Sequence, residues 1–172
     1  MLAARHLIAL GHREIGFIGA PTDRPSRRMM LEGYRAALIE TGLPLRPEYE
    51  MLSGVESERV GVYELENGGE CARAFLRMKK MPTGFVALND MTAIGAMRVF
   101  TAAGVRIPED ISIVGFDNIP YCDLCSPPLT TIDQHAYELG ALAVRKLLDH
   151  HSAETALPPT LVERGSCRSI DP

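Results

Sequence analysis

Three short segments end on side chains able to hold a polar ligand. In Asp110–Pro120, "DISIVGFDNIP", the run Ile111–Val114 leads into Gly115, and Asp117 follows at once. In Thr83–Asp90, "TGFVALND", an apolar run ends on Asn89 and Asp90, and "EIGFIGAPTDRPS" runs from Glu14 into a loop holding Arg24 and Ser26. A carboxylate accepts two donors at once, and a carboxamide both donates and accepts. A guanidinium clamps a carboxylate through two N–H groups. This is the chemistry of gripping hydroxyl-rich or acidic small molecules. Each position also has a structural use. Asp117 suits a turn or cap for "NIPYCD". Asn89 or Asp90 can cap a helix starting at Met91, and the two roles divide naturally with Asn89 facing a ligand and Asp90 capping. Arg24 and Ser26, beside Arg27 and Arg28, could belong to a solvated basic loop.

Signs of catalysis are lacking. No nucleophile elbow, phosphate loop or metal-ligand spacing is present. Asp117 and Asp123 have no partner signal for acid–base work, and Glu58 and Glu64 read as solvent-facing positions of a helix. Cys122 and Cys125 form a CxxC, but no second close Cys or His pair accompanies it as zinc requires, and Pro127 and Pro128 follow where a thioredoxin-like helix would open. The cysteines therefore read as unlinked thiols. No enzyme, metal or cofactor is expected.

The elements that must position these residues alternate. Leu2–Leu10 reads as a helix closed by Gly11 and His12, and Glu14–Ala20 as a buried strand. Ser26 is placed to cap a helix over Arg27–Glu40 that stops at "TGLP". A weak strand is expected over Glu48–Leu52, then a helix over Glu58–Met78 with Gly68–Gly69 as a weak point. "TGFVALN" is a strand, "DMTAIGAMRVFTAAG" a helix ended by Gly104, "ISIVGF" and "LTTI" strands, Tyr137–His150 a helix and "PTLVERG" a last strand. Such alternation implies a parallel sheet covered on both faces. Ligands of open α/β sheets bind beyond the carboxyl ends of the strands, where Arg24, Ser26, Asn89, Asp90, Asp117 and Asn118 converge.

The chain has 172 residues, 46% hydrophobic and 23% charged, with a net charge of −4. One globular domain with a sizeable core is expected. Nothing in the bulk charge favours binding nucleic acid by this chain itself. No run is apolar enough to span a membrane, and the opening residues do not read as a secretory signal, so a cytoplasmic location is expected.

The segments "HLIALGHREIGFIGAP", "LEGYRAAL", "PTGFVALNDMTAIGAMRVFTAAGVRIPEDISIVGFDNIP", "PPLTTIDQ", "ELGALAVRKLL" and "LPPTLVERGS" recur in order and spacing in LacI/GalR-family transcriptional regulators. The chain resembles the C-terminal part of their effector-binding domain. The resemblance implies an α/β fold of the periplasmic-binding-protein-like type I, with a parallel sheet flanked by helices, as one lobe plus a crossover helix. Residues 1–132 would form the C-terminal lobe. Residues 133–157 would be the crossover segment and a helix of the absent N-terminal lobe, and 158–172 the return strand and tail.

It further implies a repressor's sensor for a sugar or sugar acid, with DNA bound only through an N-terminal headpiece absent from this chain. The alternative is a solute-binding protein of a sugar transporter. Ligand contacts carry over to Asp117, Asn89, Arg24 and Ser26, and less firmly to Met30, Glu56 and Asp90. Two positions depart from the family pattern: Met30 stands where an Arg contacts ligand, and Glu56 where an aromatic stacks on it. A basic, non-aromatic pocket leans toward an open-chain sugar acid such as gluconate. The helix carrying Met91, Ile94 and Arg98 implies a homodimer through those residues.

Overall fold

A computed structural model describes residues 1–54, 62–149 and 156–170. Glu56 therefore lies outside the described residues, as does the start of the helix expected from Glu58. The order of elements is α1 (Leu2–Ala9), β1 (Ile15–Gly19), α2 (Pro25–Glu40), β2 (Glu50–Leu52), α3 (Tyr63–Leu76), β3 (Gly84–Ala87), α4 (Asp90–Ala102), β4 (Ser112–Val114), β5 (Thr131–Asp133), α5 (Ala136–Asp149) and β6 (Thr160–Val162), with short 3-10 turns at Pro47–Tyr49 and Pro120–Leu124.

The strands are short, and three of them are buried on both faces. β1, β3 and β4 are buried at every position, as the continuous apolar runs require. They form a four-stranded parallel sheet in the order β2-β1-β3-β4. Successive side chains face opposite cores. Phe85 and Ala87 pack with Phe75, Phe100 and Ile113 toward α3 and α4. Phe17 and Val86 pack with Leu7, Tyr34 and Leu38 toward α1 and α2. The Phe85 ring meets Phe75 edge-on at 4.9 Å and Phe100 at 5.1 Å. Each such buried ring contributes about 2–3 kcal/mol.

β5 belongs to a separate two-stranded sheet, joined to β4 by an isolated bridge just before it. Val114 bridges Thr130 in parallel, the Gly115 N–H donates to the Thr130 carbonyl, and the Asp117 N–H donates to the Ile132 carbonyl at 2.9 Å. β5 then pairs antiparallel with β6.

Two local expectations fail for clear reasons. Pro25 fits the first helical position, so α2 opens there, Arg24 is its N-cap, and Ser26 makes no cap bond. Gly68–Gly69 is no weak point. A Cβ on Gly68 would stand 1.9 Å from the Thr92 carbonyl oxygen, and one on Gly95 would stand 2.0 Å from the Leu65 carbonyl oxygen. These glycines let the backbones of α3 and α4 touch, which pulls α3 into the core. The last helix behaves differently. α5 leaves Tyr137, Val144, Leu147 and Leu148 more than half exposed.

Candidate functional site

The carboxyl ends of β1, β3 and β4 open onto a cavity of about 260 Å³. Arg24, Ser26 and Met30 reach it from the start of α2, Asn89 and Thr92 from the start of α4, and Asp117 from the loop after β4. The parallel sheet brings these together because every strand delivers its following loop to the same edge.

Asp117 is held in an unusual backbone. Its φ is 121° and that of Asn118 is 55°, in the region that favours glycine. The Asp117 N–H bond to Ile132 fixes one side of this turn, and the Ile119 N–H donates to Asp90 Oδ2 at 2.9 Å on the other. Gln134, just beyond β5, donates through Nε2 to Asp117 Oδ1. Burial, and after it the charge of Asp90, pushes the Asp117 carboxyl up to about 6, against the smaller opposing effect of Gln134.

Asn89 takes both of the roles that were expected to be divided, and Asp90 takes neither. Asn89 is the N-cap of α4, its Oδ1 accepting the Thr92 N–H at 2.8 Å. It lines the cavity as well, and its Nδ2 has no partner among the described residues. Asp90 is fully buried and does not line the cavity. It accepts the Thr131 hydroxyl and the Ile119 N–H, and so supports the Asp117 turn from behind. Gly115 makes room for it, since a Cβ there would stand 2.2 Å from Asp90 Oδ1. Asn118 also turns away from the cavity. Its Nδ2 donates to Asp133 at 3.0 Å, and its Oδ1 accepts from Arg164 at 2.9 Å.

The basic corner divides between two arginines. Arg24 forms no ion pair among the described residues, and its guanidinium is available to an anion. Arg27 is engaged: it pairs with Asp23 at 3.2 Å and lies 5.8 Å over the Tyr63 ring. Tyr63 and Phe116 both line the cavity. The site is therefore not free of aromatic rings, contrary to the expectation drawn from position 56. Glu64, expected to face solvent, lines the cavity too, and with Asn67 and Gln134 it completes the polar wall. Among the described residues no His, Cys, Asp or Glu cluster could hold a metal, and all four cysteines are free thiols.

On the far side of α4, Met91, Ile94 and Arg98 lie together with Leu65, Tyr121, Leu124 and Cys125 around a shallow, largely apolar groove. Tyr121 and Leu124 are 61% and 79% exposed and stand side by side with the other apolar residues of the groove, as a contiguous patch.

A parallel sheet flanked by helices, with a polar crevice at its carboxyl edge, is the architecture of one lobe of the periplasmic-binding-protein-like fold. The chain belongs to the family described as "Periplasmic binding protein-like domain", matched over residues 4–167. Its relatives include the HTH-type transcriptional repressor PurR of Haemophilus influenzae, 35% identical over 178 residues, covering 98% of this chain and 51% of the relative. The HTH-type transcriptional repressor CytR of Escherichia coli is 34% identical over 174 residues, covering 98% of this chain and 49% of the relative.

Among solved structures, a transcription regulator from Lactobacillus plantarum matches with a TM-score of 0.87 and 29% identity over 98% of this chain and 64% of its own. A LacI family regulator from Enterococcus faecium with bound ribose matches at 0.81 and 30%, over 99% of this chain and 62% of its own. The lac repressor dimer bound to operator and the anti-inducer ONPF matches at 0.84 and 30%, over 97% of this chain and 57% of its own. The chain thus corresponds to part of the effector-binding domain of LacI-family repressors and spans about half the length of the curated relatives it matches. These relatives favour the repressor over the transporter alternative. No helix among the described residues is long and apolar enough to cross a membrane.

Proposed function

We propose that this chain is the effector-sensing lobe of a DNA-binding transcriptional repressor and that the cavity at Asp117 takes a sugar or sugar-bearing small molecule. The observation that carries this reading is the convergence of Asp117, Asn89, Arg24 and Ser26 on one cavity at the sheet's carboxyl edge. Asp117 accepts two neighbouring ligand hydroxyls, Asn89 exchanges hydrogen bonds with a third, and Arg24 meets a carboxylate when the ligand is a sugar acid. Tyr63 and Phe116 offer flat apolar faces to a ring. This favours a cyclic ligand over open-chain gluconate, and Met30 fills the place of a second guanidinium with an apolar wall. The ribose bound by the Enterococcus faecium regulator is consistent with such a ligand.

The same reading gives the exposed apolar side of α5 a use. On this reading α5 belongs with a second lobe, and Leu147 and Leu148, exposed on this one, pack against it. Closure of the two lobes on ligand shifts a two-state equilibrium that a DNA-reading headpiece, outside this chain, responds to. The groove at Met91, Ile94 and Arg98 joins two copies, as the dimeric state of the lac repressor supports.

A thermal-shift screen of sugars, sugar acids and nucleosides on the full-length protein tests this reading. A hydroxyl-bearing compound that raises the melting temperature by several degrees is expected; stabilisation by none of them would count against it.

A further inference from the structure

Two buried side chains in the cavity wall hold polar atoms that have no partner among the described residues. Asn67, on α3, is 1% exposed, and its Nδ2 donates to the Gly19 carbonyl at 2.9 Å. A carbonyl oxygen only accepts, so it must face the amide nitrogen, which fixes the amide's orientation. Asn67 Oδ1 is then left over without a hydrogen bond, and so is the hydroxyl of Thr92, fully buried in the first turn of α4. Native proteins rarely leave buried polar atoms unpaired, because desolvation then goes uncompensated. Here two such residues line one cavity. They are also close along the helix contact: the residue after Asn67 is the glycine whose Cβ would meet the Thr92 carbonyl.

The two atoms are chemically complementary to one kind of group. Asn67 Oδ1 can only accept, while the Thr92 hydroxyl can donate or accept. We infer that Asn67 and Thr92 form a polar floor that grips one hydroxyl of the effector, which donates to Asn67 Oδ1 and accepts from Thr92 Oγ1. A ligand lacking that hydroxyl leaves both atoms buried and unpaired. The floor therefore sets which hydroxyl pattern is accepted, separately from Asp117 at the rim. This rests on the reading of the cavity as the effector site.

The test is Thr92→Val in the full-length protein, because valine keeps the shape and a similar helix propensity while removing the hydroxyl. Without ligand, the melting temperature is expected to hold or to rise by about 2–4 °C, since an unpaired buried hydroxyl is lost. A fall of that size means that a structural water already satisfies the hydroxyl, and it overturns the inference. With ligand, D-ribose, D-glucose, D-gluconate and adenosine are titrated calorimetrically. Any of them that binds the wild type is expected to bind T92V about tenfold more weakly or worse. Unchanged affinity overturns the inference. If none of the four binds the wild type, the effector reading loses support, and the unliganded melting temperature still decides whether the hydroxyl is free.

Discussion

Asp90 lies buried behind Asp117, and the two carboxylates act on one another across the turn that Asp90 itself holds in place. Burial, and then the Asp90 charge, sets the Asp117 carboxyl at about 6 instead of 3.8. The folded protein therefore binds this proton more tightly than the unfolded chain. Stability contributed by the protonated form is present below pH 3.8 and is lost as pH rises through 6. Asp117→Asn keeps an acceptor for Gln134 and removes the charge. Its melting temperature, relative to wild type, is expected to climb between pH 4 and 6 and level off above that, as thermal melts over pH 4–8 would show. A difference that is flat with pH contradicts the shift.

Ligand affinity should follow the opposite course. Ionised Asp117 accepts two hydroxyl donors, whereas the protonated carboxyl gives up one acceptor site. Affinity is expected to weaken below about pH 6 and to reach a plateau above it, measured by titration at constant ionic strength.

Removal of Asp90 tests the turn directly. Asp90→Ala strands the buried Thr131 hydroxyl and the Ile119 N–H. A loss of about 3 kcal/mol is expected in urea unfolding. Ligand binding should fail with it even though Asp90 does not line the cavity, because the backbone at Asp117 and Asn118 loses its support.

The close approach of α3 and α4 carries its own prediction. Gly95→Ala places a methyl 2.0 Å from the Leu65 carbonyl oxygen, and backbone cannot yield as a flexible side chain does. Unfolding should show a loss of about 2 kcal/mol. Gly104→Ala, in open space but at φ 83°, isolates the cost of backbone strain alone.

The groove beside α4 is tested by charge. Ile94→Asp with Leu124→Asp puts carboxylates into its apolar lining. Light scattering is expected to report a monomer for the doubly substituted full-length protein, with unchanged far-ultraviolet circular dichroism. A persistent dimer places the interface elsewhere.

Much of this was legible in the residues and some was not. β3 and β4 could be found because fully buried strands need unbroken apolar runs, and Asp117, Asn89, Arg24 and Ser26 because parallel strands send their loops to one edge. That Asn89 does the capping and Asp90 is buried behind the turn was not legible, since both residue types cap helices well and the room left by Gly115 decides which is buried. Asn67 was hidden for a related reason. Nothing in "ENGGE" marks it as a buried position. It is buried because the glycines beside it bring α3 against α4, a tertiary contact with no local signature. Tyr63 and Phe116 were missed as cavity walls because neither stands at the position where the family pattern places an aromatic.

The most direct test of the central claim is a calorimetric titration of the best-stabilising sugar from the thermal-shift screen into full-length wild type and Asp117→Ala protein. Binding by the wild type and at least a hundredfold weaker binding by the variant, with the fold intact by circular dichroism, is the predicted result. Equal affinity in the two proteins would place the effector somewhere other than the cavity at Asp117.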